Sequence, residues 1–252
     1  MIQWTNLWKL YFNDSKCKCL HIGKTNPKHK YTIDSDGKET ELTKCTEEKD
    51  LGITIDEELS FDVHIKDITT KANQLLGVIK RTFTFTDKDV LIRLYKGLIR
   101  PRLEYGNVIW SPHLKRQSIA IEAIQRRATK LIGGMENLSY KERLQKLNLP
   151  SLKARRIRGD LIQCYKIFRG FDNLKIEDFF QLVEGNKTRN SVEKIFITHR
   201  NKDIRKYTFS MRVAPYWNAL PTNTKKAQNT NTFKNMLDRW RTYTKLMYDF
   251  DE

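Results

Sequence analysis

Two sets of residues in this chain have types and spacings that could do chemistry, and the larger set is cationic. In Gln125-Arg126-Arg127-Ala128-Thr129-Lys130, Arg126 and Lys130 stand four residues apart on one helical face, while Ile121, Ile124, Ala128 and Leu131 face inward. Lys153, Arg155, Arg156 and Arg158 crowd into about one and a half helical turns. Lys80, Arg81, Arg100 and Arg102 extend the series. One such run is an ordinary solvated face. Several of them on one helical body fit contacts to phosphate oxygens, which give affinity without reading base sequence. Tyr95, Tyr105, Trp110, Trp217 and Trp240 could stack on bases, but their helical spacings place them in a core.

The smaller set is Cys17, Cys19 and His21, with Cys45 further on. On an extended strand, C-x-C-x-H spreads its donors over roughly 13 Å, whereas zinc needs four converging ligands. Structural cysteines are therefore expected and no metal site. The five histidines are scattered, and neither a Ser-His-Asp nor a Cys-His nucleophile arrangement is present.

The cations are unevenly distributed. Residues 1–60 hold 9 Lys, no Arg and 11 acidic residues, net −2, whereas residues 61–170 alone carry 23 basic and 9 acidic residues. The whole chain of 252 residues has a formal charge of +17. So steep an excess on one part points to a polyanionic partner. Four cysteines are too few and too clustered for a secretory disulfide framework. The longest apolar run, Leu75 to Ile79, falls far short of the roughly 18 residues a membrane span needs. An intracellular protein, cytoplasmic or nuclear, with no membrane partner is expected.

The elements that must carry these residues change period near residue 60. Trp4, Leu7, Trp8 and Tyr11 share a helical face. Short β-rich segments follow at Lys18 to Ile22, Tyr31 to Ile33 and Leu51 to Ile55, punctuated by the Asp34-Ser35-Asp36-Gly37 turn. From Phe61 to Phe83 apolar residues recur at threes and fours, predicting a helix of about five turns. Thr86 with Asp89 predicts a second helix closed by Pro101. A third runs from about Lys115 to Ile132, a fourth opens at Ser139 with Glu142, and a fifth runs from Ser151 to near Gly170. Weak periodicity between 185 and 201 predicts a flexible excursion, and a last helix spans Phe233 to about Met247. The fold class is α+β: a small antiparallel sheet with one helix, then a mainly helical body, dividing as 1–60, 61–170 and 171–252.

Trp8-Lys9-Leu10-Tyr11-Phe12-Asn13-Asp14-Ser15-Lys16-Cys17 and Leu20-His21-Ile22-Gly23 resemble the helix, turn and strand just after the catalytic strand in non-long-terminal-repeat retrotransposon reverse transcriptases, of the jockey-like or chicken-repeat-like kind. Lys49-Asp50-Leu51-Gly52-Ile53 resembles the primer-grip hairpin that follows. The likeness continues through Ile99-Arg100-Pro101, Val108-Ile109-Trp110-Ser111-Pro112, Gln125-Arg126-Arg127-Ala128-Thr129-Lys130, Arg158-Gly159-Asp160-Leu161 and Trp217-Asn218-Ala219-Leu220-Pro221, in the family's order.

The resemblance implies the end of a palm, a thumb and a C-terminal extension. It implies RNA or DNA template-primer as partner, gripped by Lys80, Arg81, Arg100, Arg102, Arg126, Arg127, Lys130, Lys153, Arg155, Arg156 and Arg158. Leu51 and Gly52 match the primer-end support, or else belong to an ordinary buried strand. Lys16 matches a lysine that can protonate leaving pyrophosphate, a role open to it only where a palm is supplied. In the complete family enzyme two magnesium ions are held by acids that include a Tyr/Phe-x-Asp-Asp turn. This chain has no Asp-Asp dipeptide, so it is expected to bind no cofactor and to hold nucleic acid without polymerising alone. The palm and fingers part of a reverse transcriptase is a further candidate partner. The alternatives are a relic or helical protein-interaction scaffold, and a truncated gene model of a complete enzyme.

Overall fold

The computed structural model describes residues 4, 7–10, 13, 16–35, 38–83, 87–183, 193–199, 201–243 and 246–251. Tyr11, the Asp36-Gly37 turn, Thr86 and most of the 185–201 excursion lie outside the described residues. The chain forms two compact units, Met1–His64 and Ile65–Glu252.

The first unit contains β1 (Lys18–Leu20), β2 (Thr32–Ser35), β3 (Lys38–Glu41), β4 (Thr43–Cys45), β5 (Glu47–Asp50) and β6 (Ile53–Asp56). They pair as three two-stranded ladders: β1 with β4 in parallel, β2 with β3 and β5 with β6 antiparallel. The single antiparallel sheet of the sequence reading is thus divided, with one parallel pair. β3 to β5 lack apolar alternation. Polar cross-strand contacts hold them, Thr32 Oγ1 donating to Glu39 at 2.7 Å and Lys18 Nζ to Glu48 at 2.7 Å. Leu51 does not begin a strand. Asp50 pairs with Ile53, leaving Leu51 (φ 45°) and Gly52 (φ 87°) as a two-residue turn with both φ positive, the type I′ geometry that matches strand twist. After β6, the Asp56 carboxylate accepts from the backbone N–H of Glu58, Ser60 and Phe61 at 3.1, 3.0 and 2.7 Å. That organises a turn in which Leu59 and Phe61 both have positive φ.

Helix α1 (Asp62–Thr82) opens at the end of the first unit and continues into the second. Asp87, rather than Thr86, caps α2 (Lys88–Leu94), its carboxylate accepting from Asp89 N and Val90 N. The helical path does not stop at Pro101. It widens into a π-turn at Tyr95–Ile99 and resumes as α3 (Arg100–Glu104), with Pro101 in the first turn after the change of register. Next come α4 (Asn107–Trp110), α5 (Lys115–Lys130), α6 (Tyr140–Lys146) and α7 (Leu152–Phe168). The Ser139/Glu142 capping box and the Ser151 cap both form.

Helices α8 (Asp203–Lys206), α9 (Phe209–Ala219), α10 (Thr222–Lys225) and α11 (Thr230–Tyr243) complete the chain. Expected segments 61–170 and 171–252 fall within one unit because α7 shares a core with Phe180, Ile195, Trp217 and Phe233. Its centre is a ring stack, Phe168 on Trp217 at 4.7 Å and Tyr165 on Phe233 at 4.2 Å. Among the described residues no helix is long and apolar enough to cross a membrane.

Candidate nucleic-acid interface

The cations sort into three groups by what they touch. Arg100, Arg155 and Arg158 are bonded to carboxylates within the fold. Arg155 makes a two-pronged contact with Glu104, its Nη2 at 2.7 Å from Oε2, and Arg100 Nε approaches the same carboxylate at 3.8 Å. This fastens α3 to α7. Arg158 grips Asp238 in the same forked manner at 2.7 and 2.8 Å, fastening α7 to α11. Burial works against the Arg155 charge, but the bonds to Glu104 outweigh it and raise its pKa.

Arg126, Lys153 and Arg156 face the chain's own C-terminal segment. Lys153 Nζ lies 3.2 Å from Asp249 and 3.1 Å from Asp251. The Arg126 guanidinium sits over the rings of Tyr140 and Phe250, at 5.0 and 5.7 Å. Arg156 is 4% exposed, donates to Ser118 Oγ at 3.0 Å, and has its Nη1 buried without a hydrogen-bond partner. Burial lowers its pKa.

Lys80, Arg81, Arg102, Arg127 and Lys130 are exposed. Lys80 and Arg81 share the last turn of α1, and Arg127 and Lys130 the last turn of α5, where cations complement the helix dipole. Arg102 stands on α3. Arg93 and Lys96 are exposed as well; the sequence reading passed over them, although their three-residue spacing along a helix could have found them.

A buried polar chain ties α5 to the elements around it. Tyr95 OH donates to Gln125 Oε1 at 2.5 Å, and Gln125 Nε2 donates to Tyr140 OH and Pro150 O at 3.1 and 3.0 Å. Tyr140 OH donates to Glu122, which also accepts from Leu152 N at 3.0 Å and Lys153 N at 3.3 Å. A carboxylate from α5 thereby satisfies the first amides of α7. Burial drives the Glu122 pKa up against those bonds.

The other sequence candidates lie elsewhere. Lys16 is exposed, its N–H bonded to Asn13 O at 2.9 Å. Leu51, 83% exposed, stands at the β5–β6 tip with Gly52. Cys19 Sγ meets His21 Nε2 at 3.6 Å and Cys45 Sγ points to Cys19 O at 3.7 Å. No three of His, Cys, Asp and Glu converge on a metal position among the described residues. Trp110, Trp217 and Tyr95 are buried, Trp240 packs against the core and Tyr105 is exposed.

Fold and site together define an α+β chain with a basic, internally fastened helical body. Over 145 residues, 53% of the chain, it is 28% identical to a probable RNA-directed DNA polymerase from transposon X-element of Drosophila melanogaster, covering 15% of that protein. Over 125 residues, 48% of the chain, it is 29% identical to an uncharacterised Caenorhabditis elegans protein, covering 63% of it. The chain spans less than two thirds of the length of either relative. The first match supports a relationship to retrotransposon reverse transcriptases over about half of the chain. No family model and no solved structure matches.

Proposed function

We propose that this chain is the C-terminal part of a retrotransposon reverse transcriptase of the jockey-like or chicken-repeat-like kind, and that its thumb-like body holds RNA or DNA template-primer by the phosphate backbone. The observation that carries the reading is that Lys80, Arg81, Arg102, Arg127 and Lys130 are left exposed on the helices, in a chain related to a transposon polymerase. Such contacts position a duplex without reading its sequence. These 252 residues offer no Asp-Asp pair, so polymerisation requires palm carboxylates and magnesium ions beyond those that they supply.

The test is fluorescence anisotropy of a labelled template-primer duplex over a range of salt. Five phosphate contacts give log K against log salt a slope of about −4 to −5, with little dependence on sequence. A flat salt dependence overturns the reading. The competing reading, a relic or protein-binding scaffold, draws on Arg100, Arg155 and Arg158 being paired with carboxylates; it requires that reversing the exposed cations Arg127 and Lys130 weaken duplex binding no more than an equal loss of charge elsewhere on the surface.

A further inference from the structure

Three of the cations singled out in the sequence are covered by the last residues of the chain. Ser151 N donates to Met247 O at 3.0 Å and Ser151 Oγ donates to Asp249 O. Asp249 and Asp251 both reach Lys153, at 3.2 and 3.1 Å. Asp251 also accepts from the Ser118 hydroxyl, which in turn accepts from Arg156. Phe250 lies edge-on to Tyr140 at 5.0 Å, under the Arg126 guanidinium.

The amides at the start of α7 are already taken by Glu122 and Ser151, so the side chains alone form the site. Arg126, Lys153 and Arg156 face Glu122 and the two tail carboxylates, which is charge balance. With the tail away, two positive charges stand uncompensated, and the buried Arg156 Nη1 has a donor to offer. An uncompensated guanidinium in a half-buried site is costly and favours capture of another anion.

We infer that Arg126, Lys153, Arg156 and Ser118 form a second phosphate-binding site, and that Asp249-Phe250-Asp251 occupies it as an internal stand-in for a nucleic-acid strand. The inference rests on the nucleic-acid reading above and adds a site and its control to it. Nucleic acid displaces the tail, Asp249 and Asp251 carboxylates giving way to phosphate oxygens on the same donors. No covalent step is involved.

The experiment compares the unaltered chain with Asp249→Asn/Asp251→Asn, which keeps Phe250 and the backbone clasp. Glu177→Gln/Asp178→Asn, two exposed acids elsewhere, serves as a control of equal net charge. The probe is a fluorescent oligothymidylate. The tail variant is expected to bind several-fold more tightly, with a salt slope close to that of the unaltered chain, because both complexes make the same phosphate contacts. Adding Lys153→Gln to it is expected to remove about half of that gain. In the unaltered chain, hydrogen exchange of the Ser151 amide is expected to quicken on adding the oligonucleotide, because its Met247 partner departs. No gain in affinity in a tail variant that binds, an equal gain in the charge control, or a Ser151 amide indifferent to the probe overturns the inference and leaves the proposed function standing. Failure of every form to bind the oligonucleotide overturns both. Binding of a poly-aspartate peptide in preference to the oligonucleotide assigns the site to an acidic protein partner and likewise overturns the inference.

Discussion

Arg158-Gly159-Asp160-Leu161 shows how much fastening four residues can do. Arg158 holds Asp238, and Leu161 is fully buried in the core. A Cβ on Gly159 would come within 3.1 Å of the Asn107 side chain. Asp160 holds the Arg212 guanidinium at 2.9 and 3.0 Å, while Arg212 also donates to Val108 O at 2.5 Å. The Asp160 side chain is 6% exposed and Arg212 17%, so removing one partner strands a charge. Asp160→Ala is expected to cost about 3 kcal/mol or more in urea unfolding; a change under 1 kcal/mol would count against the pair's role. Glu122 makes a second statement at this scale. Burial raises its pKa above the ordinary 4.5, so the folded protein holds this proton more tightly than the unfolded chain. Its contribution to stability therefore declines as pH rises from about 4.5 through the raised value. Glu122→Gln is expected to flatten that part of the stability–pH curve, read by urea midpoints at successive pH values.

The β5–β6 hairpin carries an expectation of its own. Leu51 holds φ 45° at an exposed tip, a conformation that glycine adopts without cost and a branched side chain does not. Leu51→Gly is expected to leave the first unit's stability unchanged or raise it by about 0.5–1 kcal/mol, while Gly52→Val destabilises the hairpin; thermal unfolding followed by circular dichroism checks both. The sequence announced elements like α1, α5 and the Ser139 and Ser151 caps because apolar spacing and capping are local signals. It misassigned Pro101 because a π-turn is a change of hydrogen-bond register that no residue type marks. It passed over α9, where Pro215 sits inside the helix and tertiary packing of Val213, Ala214 and Trp217 overrides the propensity. β3 to β5 gave no signal, since their Glu, Lys and Thr residues pair across strands rather than alternate. The fate of the cations was illegible for a plainer reason: Arg155 and Arg158 meet their carboxylates across 51 and 80 residues of chain.

For the molecule as a whole, the net charge of +17 is less informative than which cations remain exposed. A positive chain attracts any polyanion at low salt, so charge reversal must distinguish a binding surface from internal fastening. Arg127→Glu/Lys130→Glu alters two exposed residues at the end of α5. It is expected to remove about two phosphate contacts, making the salt slope shallower by about two and weakening binding at least tenfold. The stability cost is limited to the helix-dipole term, about 0.3–1 kcal/mol per charge. Arg158→Glu sets a carboxylate against Asp238, which is 47% exposed, and is expected to cost on the order of 2 kcal/mol after allowing for solvent screening. Its salt slope is expected to match the unaltered chain's at temperatures where it stays folded. Anisotropy titrations and urea unfolding on the same two variants therefore yield opposite pairs of results. Were Arg158→Glu to flatten the slope while keeping its urea midpoint, its bond to Asp238 would have to open in the complex, and the line drawn between fastening and binding cations would be wrong.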